Sequence, residues 1–389
     1  MTAILKNTLK LITFGLPLFY IACGKPVLKT TTVIPDKTIF TQNVNYERQN
    51  FEALDFPFPI FIQKEKSLNG VTTPNIGLFE NHLFLTTLNG YLSIIPVDNI
   101  GKNRKTRISK GISAASTLYG NILFVPSLAG GIGLSAYNIK STETVWELKG
   151  NYSNSSPVVI DNLVYHTTHR GLISCLNAET GERKWQTDLR DNIYTNLLYT
   201  DDYLIAVSQN GQIRIYDPES GLVNLAKKIE DDVYSQSCVA NHSLYTISYT
   251  GKLYKLDLKT GNLNPIADFK TRVYAPLSTD GQNLFIQLSN GDLICRNMDT
   301  KSTIWSIQLK GPVSCPILIT NKHLVAATSQ KTLYVINKKD GEIVQRIETE
   351  GRVCAPPVIS GNQVIICSEY NKITLYGKTG EDNNVTVRQ

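Results

Sequence analysis

Short apolar segments alternate with turn residues along the chain from about residue 54 onward. Residues 157–189 contain the segments PVVI, LVYHTT, LISCLNA and RKWQTDL, separated by the turn pairs Asp161-Asn162, Arg170-Gly171 and Thr180-Gly181. Segments rich in Val, Ile, Leu, Tyr and Thr between Gly, Asn and Asp are typical of β-strands. No 3.6-residue pattern is sustained beyond residue 54, which argues against a helical solenoid. The pattern predicts four short strands in each stretch of about forty residues.

This unit recurs along the chain. Glycines mark its second turn at steps of 41 and then 40 residues, and the series is Gly90, Gly131, Gly171, Gly211, Gly251 and Gly291. Lys331 and Asn371 continue the series in the same apolar context. Several of these glycines follow Asn, a pair that favours tight type I′ hairpins. Eight such units predict an all-β fold, an eight-bladed β-propeller of four-stranded antiparallel blades.

An N-terminal strand is predicted to close the ring. The eighth unit reaches its third strand at ITLYGK and continues as a polar tail, while an apolar segment at residues 56–63 precedes the first unit. We expect residues 58–63 to form the outer strand of blade eight, which would remove an open sheet edge. The alternative is that Val385–Arg388 forms this strand.

Residues 1–22 have the pattern of a signal peptide. Lys6 and Lys10 precede the apolar run LITFGLPLFYIA, which is too short to span a bilayer as a helix. Ala22-Cys23 at its end resembles a bacterial lipoprotein signal with Tyr20 in place of the usual Leu, and implies a lipidated Cys23. The alternative is an ordinary signal peptide. Since Gly24 is not Asp, the resemblance implies the outer membrane. Residues 23–53 are predicted to be the lipidated N-terminus and a flexible tether, and residues 54–389 the propeller.

Composition narrows the function classes. The 389 residues are 42% hydrophobic and carry a net charge of +6. This surplus is too small for the dense basic patch of a nucleic-acid binder, so we expect no nucleic-acid partner. Seven cysteines without a CxxC pair argue against a zinc ribbon. Cys315 and Cys354 precede the inner strands of neighbouring blades, and whether they pair stays open.

The segment from Ser174 to Trp185 resembles the tryptophan-docking repeat of pyrroloquinoline-quinone (PQQ) propellers, with Trp146 and Trp305 at the same place in other blades. The resemblance covers about residues 54–381. Quinoprotein dehydrogenases of this type have adjacent cysteines, a Trp below the quinone, calcium-binding acids and long loops. This chain has no adjacent cysteines, and its three Trp all stand at docking positions. We therefore expect no catalytic residue, no cofactor and no metal site, and the five His show no metal-binding pattern.

A lipid-anchored propeller without a catalytic site resembles the BamB family of lipoproteins. That resemblance implies a scaffold on the periplasmic face of the outer membrane that binds the POTRA domains of BamA-like proteins. It also implies help in folding and inserting outer-membrane proteins, contact with these proteins while unfolded, and membrane contact through the lipid anchor only. The alternatives are a propeller scaffold of another envelope or secretion complex, or a small PQQ-dependent dehydrogenase.

The resemblance places the partner-binding residues on two loops. In that family, loops entering the fourth and fifth blades carry Leu-x-Leu-Arg and Asp-x-Asp. Leu189 and Arg190 match the first pattern, with Thr187 in place of the first Leu. Asp232 matches the second pattern beside Asp231, and Tyr234 replaces its second Asp. We predict that Leu189, Arg190, Asp231 and Asp232 bind the partner.

Overall fold

The computed structural model is an eight-bladed β-propeller, as the forty-residue repeat predicts. It describes residues 39–40, 45, 47, 49–68, 70–73, 76–79, 81–128, 130–150, 152–200 and 202–378. Cys23, the predicted signal peptide and the tail after residue 378 lie outside this part of the chain. Among the described residues, no helix has the length and apolar character needed to cross a membrane.

Blades one to four are built from consecutive strands. Their bounds, after the N-terminal strands β1 (Ile39–Phe40) and β2 (Phe61–Ser67), are β3 (Gly77–Phe79), β4 (His82–Thr86), β5 (Tyr91–Pro96), β6 (Arg104–Arg107), β7 (Thr117–Tyr119), β8 (Ile122–Pro126), β9 (Ile132–Asn138), β10 (Glu143–Lys149), β11 (Val158–Ile160), β12 (Leu163–Thr167), β13 (Leu172–Asn177), β14 (Arg183–Asp188), β15 (Leu198–Tyr199), β16 (Leu204–Val207), β17 (Gln212–Tyr216) and β18 (Val223–Lys228).

Blades five to eight continue this order. Their bounds are β19 (Cys238–Ala240), β20 (Ser243–Ile247), β21 (Lys252–Asp257), β22 (Leu263–Asp268), β23 (Ser278–Thr279), β24 (Asn283–Gln287), β25 (Asp292–Asn297), β26 (Thr303–Gln308), β27 (Leu318–Ile319), β28 (His323–Thr328), β29 (Thr332–Asn337), β30 (Ile343–Glu348), β31 (Val358–Ser360), β32 (Gln363–Ser368), a 3₁₀ turn (Glu369–Asn371) and β33 (Lys372–Gly377).

The N-terminal strand β2 closes the ring. Blade eight has the order β2-β33-β32-β31, and Phe61 pairs with Gly377 across it. The predicted closure is thus confirmed, but the strand spans residues 61–67 instead of 58–63. Ile60, directly before this strand, packs in the core and is 1% exposed. Its backbone N–H and carbonyl form hydrogen bonds of 3.0 and 2.7 Å with the Gln345 side-chain amide. Pro59 has no N–H for a strand ladder, so pairing starts after it.

Tryptophan docking joins neighbouring blades. The Trp146, Trp185 and Trp305 indole N–H groups each donate to a backbone carbonyl of the next blade at 2.9–3.0 Å. A Cβ added to Gly221 would lie 2.5 Å from the Trp185 ring, and the φ of Gly221 is +71°. Only glycine accepts both the close ring and the left-handed backbone. The Trp and Gly of the repeat are therefore structural partners across the blade interface.

A segment before β2 crosses the inner strands of several blades. We call the described residues from 45 to 60 the strap. Val239, Thr279 and Ile319, in blades five to seven, donate backbone hydrogen bonds to strap carbonyls at 2.9–3.0 Å. Upstream, β1 pairs with β7 as a fifth strand of blade two. The prediction of a free tether as far as residue 53 is therefore wrong for its last described residues, because the inner strands offer unpaired backbone groups that this segment satisfies.

Candidate protein-binding face

The connections between strands lie on two opposite faces of the disk-shaped propeller. Each blade is an antiparallel meander, so the links between blades and the turns between second and third strands lie at the same end. We call this end the loop face. The strap meets Val239, Thr279 and Ile319 where the inner strands approach their first turns. We call this opposite end the strap face. All four predicted partner-binding residues lie on links of the loop face.

Leu189 is an interior residue. Its side chain is 6% exposed and packs in the core formed by blades three and four with Tyr165 and Ile193. Ile229, forty residues later, is 2% exposed in the equivalent position. The repeat thus places an apolar side chain here to seal the blade interface. Partner contact by Leu189 stays a prediction, and in this structure little of its side-chain surface is accessible.

Arg190 is exposed beside it. Its backbone adopts a left-handed conformation with φ of 56°, and its N–H donates to Asp188 Oδ1 at 2.8 Å. Lys270 repeats this arrangement two links later, with φ of 52° and a 3.0 Å bond to Asp268. The carboxylate holds the tight turn, so the link presents its cationic side chain from a fixed backbone.

Asp231 ties its link to the next blade. Its Oδ2 accepts hydrogen bonds from the Thr250 hydroxyl and, at 3.1 Å, from the Thr250 N–H, while Oδ1 accepts from the Asp232 N–H at 2.8 Å. Burial raises the pKa of Asp231, but these hydrogen bonds lower it more, and the net pKa is below its ordinary value. Asp191 makes equivalent contacts, accepting from the Asn210 N–H at 3.3 Å and from the Asn192 N–H at 2.8 Å. Hydrogen bonds within the protein therefore occupy the Asp231 carboxylate.

Asp232 belongs to a polar chain on the surface. Its Oδ2 accepts from the Tyr234 hydroxyl at 3.1 Å, and Gln209 donates to that hydroxyl at 3.0 Å. This hydrogen bond to Asp232 is the main reason that the pKa of Tyr234 is raised. The half-buried carboxylate thus orients a tyrosine ring. Through Gln209, this chain connects the link into blade five with the second turn of blade four.

Four tyrosines form a continuous row on the loop face, which we call the tyrosine strip: Tyr194, Tyr234, Tyr249 and Tyr274. Their successive ring centroids are 6.2, 5.5 and 5.3 Å apart. The Tyr274 hydroxyl donates to that of Tyr249 at 3.0 Å. Tyr194 is 45% and Tyr274 55% exposed. Tyrosine offers a large rigid contact area with a polar end, and it is enriched at protein interfaces.

The sequence contained a signal for this strip. Tyr194, Tyr234 and Tyr274 are spaced by forty residues, so the repeat places them on three successive links. Composition alone favours tyrosines in the core, and Tyr165, Tyr216, Tyr245 and Tyr376 are indeed buried there. Their position in the repeat, on a link instead of a strand, distinguishes the strip from these four.

The residues present do not fit a quinone site with calcium. All three Trp rings are engaged between blades, as described above. Among the described residues, no three His, Cys, Asp or Glu side chains converge on a metal position. His166 is buried within blade three, whereas His169 stacks on Tyr152 at 4.5 Å. The six described cysteines are free thiols, including Cys315 and Cys354.

Comparisons with known proteins give one family and one fold. The family model described as outer membrane protein assembly factor BamB matches residues 103–307 and 302–385. No curated protein sequence matches the chain.

Solved structures share the fold at low identity. BamB from Moraxella catarrhalis is 16% identical, with a TM-score of 0.67, and the match covers 84% of this chain and 100% of that one. The computationally designed Ika8 protein is 13% identical, covering 80% and 98%, with a TM-score of 0.71. A quinohemoprotein alcohol dehydrogenase from Comamonas testosteroni is 11% identical, covering 90% and 82%, with a TM-score of 0.71. BamB, a designed protein and an alcohol dehydrogenase thus share this fold, so the fold alone does not identify the function.

Proposed function

The chain belongs to the family of outer membrane protein assembly factor BamB, and from this premise we propose that it is a non-catalytic scaffold of β-barrel assembly in the outer membrane. The family match over residues 103–385 carries this proposal. Two further observations support it: the residues present do not fit a quinone site, and the loop face displays an aromatic strip. A rigid disk with such a face is suited to holding another protein.

The partner we propose is a POTRA domain of a BamA-like protein, docked on the loop face. Arg and Tyr are the residue types that most often dominate binding energy at interfaces, and Arg190 lies near one end of the tyrosine strip in sequence and on the same link as Tyr194. Leu189 supports this surface from below by packing the link, and Asp231 and Asp232 fix the next link and its tyrosine. Arg190 and the strip provide the accessible contacts.

The anchor we propose is a lipid on Cys23. From Cys23 to residue 39 the chain can reach at most about 55 Å, at 3.3–3.6 Å for each extended residue. Residues 39–40 pair with Leu118 and Tyr119, at the strap-face end of the inner strand of blade two. The anchored chain therefore arrives on the strap face. The loop face lies at the opposite end of the disk from this entry point, which supports a partner docked there.

A pull-down from membranes in mild detergent, with the bound proteins identified by mass spectrometry, tests the partner. We expect a POTRA-bearing barrel protein to be recovered with the wild-type chain. Arg190→Ala and the double variant Tyr194→Ala/Tyr274→Ala should each reduce recovery about tenfold, the loss typical of an interface anchor. Tyr370→Ala is the matched control, since Tyr370 is 72% exposed on the second turn of blade eight.

The outcomes separate the candidate functions. Recovery of only other envelope proteins would reject barrel assembly and favour a scaffold of another envelope complex. An equal loss with Tyr370→Ala would reject the location on the links to blades four to six. The anchor is tested separately by metabolic labelling with radioactive palmitate, which should be incorporated by the wild-type chain and not by Cys23→Ser. Label in the Cys23→Ser variant would reject this lipidation site.

A further inference from the structure

Two cysteines face each other where the ring closes. Val353 and Ser368 form an antiparallel bridge, and next to it the Cys354 N–H donates to the Cys367 carbonyl at 2.9 Å. Directly opposed residues of an antiparallel pair have Cα atoms about 4.5–5.5 Å apart. A disulfide needs Cα atoms about 4.4–6.8 Å apart, so the backbone already meets its main requirement.

The two sulfur atoms share one polar neighbour. Thr72 Oγ1 lies 3.5 Å from Cys354 Sγ and 3.2 Å from Cys367 Sγ. Cys354 Sγ also lies 3.3 Å from the Cys367 carbonyl oxygen. Both side chains therefore point to the same side of the bridge. Thr72, which bridges to Thr87 of blade one, holds this pair at the junction of the first and last blades.

The two thiols differ in accessibility and acidity. Cys354 is partly exposed, whereas Cys367 is fully buried. A hydrogen bond from Cys367 is the largest influence on Cys354 and helps lower the pKa of its thiol to about 7, while the same contact and burial raise the pKa of Cys367. A thiol with a pKa near neutrality is a good nucleophile in disulfide exchange. Cys354 is thus placed to react first, with Cys367 behind it.

We propose that Cys354 and Cys367 are a site of disulfide formation, and that an external disulfide, of glutathione or of a thiol oxidoreductase, is the co-reactant. The Cys354 thiolate attacks the external disulfide, which forms a mixed disulfide and releases one thiolate. Cys367 then loses its proton, attacks Cys354 Sγ and releases the second thiolate. The external disulfide is reduced to two thiols, and the chain loses two hydrogen atoms. In the cell this site rests on the proposed function, which places the chain in the oxidising periplasm.

The sequence leaves open a pair between Cys315 and Cys354. Cys315 lies in the apolar core between blades seven and eight and is 6% exposed. It precedes the inner strand of blade seven and does not oppose Cys354 in the bridge that links residues 353 and 368. The geometry therefore favours Cys367 as the partner of Cys354.

The test uses the purified full chain in glutathione buffers at pH 7, from fully reduced to fully oxidised. Free thiols are alkylated and the peptides mapped by mass spectrometry. We expect one cross-linked species joining the peptides of Cys354 and Cys367, absent from Cys354→Ser and Cys367→Ser and retained in the matched variant Cys315→Ser. Complete alkylation of Cys354 in the oxidised buffer, or its cross-link to Cys315, would overturn the proposal. The wild-type map decides this even if a variant folds poorly.

A second experiment tests the disulfide between Cys354 and Cys367 separately from the cellular location of the protein. The same map is made on chain taken from the cell envelope and on chain produced in the cytoplasm without residues 1–22. We expect the cross-link only in the envelope sample. If the glutathione buffers form the cross-link but the envelope sample contains free thiols, the pair stands and the periplasmic location of the proposed function is rejected.

Discussion

The two faces of the disk differ in what covers them. On the strap face, the chain itself supplies hydrogen-bond partners to the inner strands of blades five, six and seven. On the loop face, the rings of the tyrosine strip contact each other, and Tyr194 and Tyr274 stay about half exposed. One face is thus stabilised within the molecule. The other displays the aromatic surface that suits a partner, so the two faces should respond differently to substitution.

The largest expected effect is on the strap side. Phe56 is 4% exposed in the core between blades seven and eight, whereas Phe58 is 36% exposed, and both rings lie near His323. Phe56→Ala should lower the free energy of unfolding by about 3–5 kcal/mol, the usual cost of removing a buried Phe. Phe58→Ala is the control and should cost under about 1 kcal/mol. Urea denaturation measures both, and equal costs would show that the strap does not pack as described.

The next effect separates two neighbours on the loop face. Leu189→Ala should lower the free energy of unfolding by about 2–4 kcal/mol, because it leaves a cavity in the core. Arg190→Ala should change it by less than about 0.5 kcal/mol, since the Arg190 side chain is exposed. Urea denaturation of both variants checks this. A large destabilisation by Arg190→Ala would mean that this residue serves the fold and is not free for a partner.

The free energy of unfolding should depend on pH through Glu52, which lies in the strap. Burial raises the pKa of Glu52 to about 7 in the folded chain, from 4.5. The folded state therefore binds the proton more tightly, and this stabilisation is present below pH 4.5 and lost as the pH rises through 7. Glu52→Gln should remove this dependence and raise the free energy of unfolding at pH 8 by about 1–3 kcal/mol.

Urea midpoints of wild type and Glu52→Gln at pH 5, 6, 7 and 8 measure it. The two curves should diverge between about pH 5 and pH 7, with the variant the more stable, and their difference should change little from pH 7 to pH 8. Parallel curves would show that the Glu52 carboxyl is solvated, and that the strap is held more loosely at this residue.

The smallest effect compares a buried tyrosine with one of the strip. The Tyr165 hydroxyl donates to the Pro218 carbonyl at 3.2 Å within the core, so Tyr165→Phe should cost about 1 kcal/mol. Tyr274→Phe removes the exposed contact to Tyr249 and should cost under about 0.5 kcal/mol. Thermal unfolding measures both. If Tyr274→Phe proves the more costly, the strip contributes to the fold more than its exposure indicates.

The repeat explains why so much of the fold could be predicted. Each blade buries the same apolar positions, and each docking Trp packs on a Gly that follows it by 35 or 36 residues, so the blades and the Trp-docked interfaces follow from one pattern. The same pattern contains Leu189, which the family resemblance predicts as a partner contact. The structure adds that its side chain is 6% exposed and packs in the core between two blades, a burial that depends on the neighbouring blade.

The amino-acid sequence by itself determined the blade number, the turn positions and the closure by an N-terminal strand, because local turn chemistry and alternating burial repeat with the chain. Tertiary structure alone decided the rest. The strap has no periodic pattern that would predict its position. Its carbonyls pair with inner strands that lie about 190–270 residues away in sequence. The contact between Tyr249 and Tyr234 also joins separate segments of the chain. The same holds for the cluster of Cys354, Cys367 and Thr72. Such contacts are set by the curvature of the ring, which no single segment encodes.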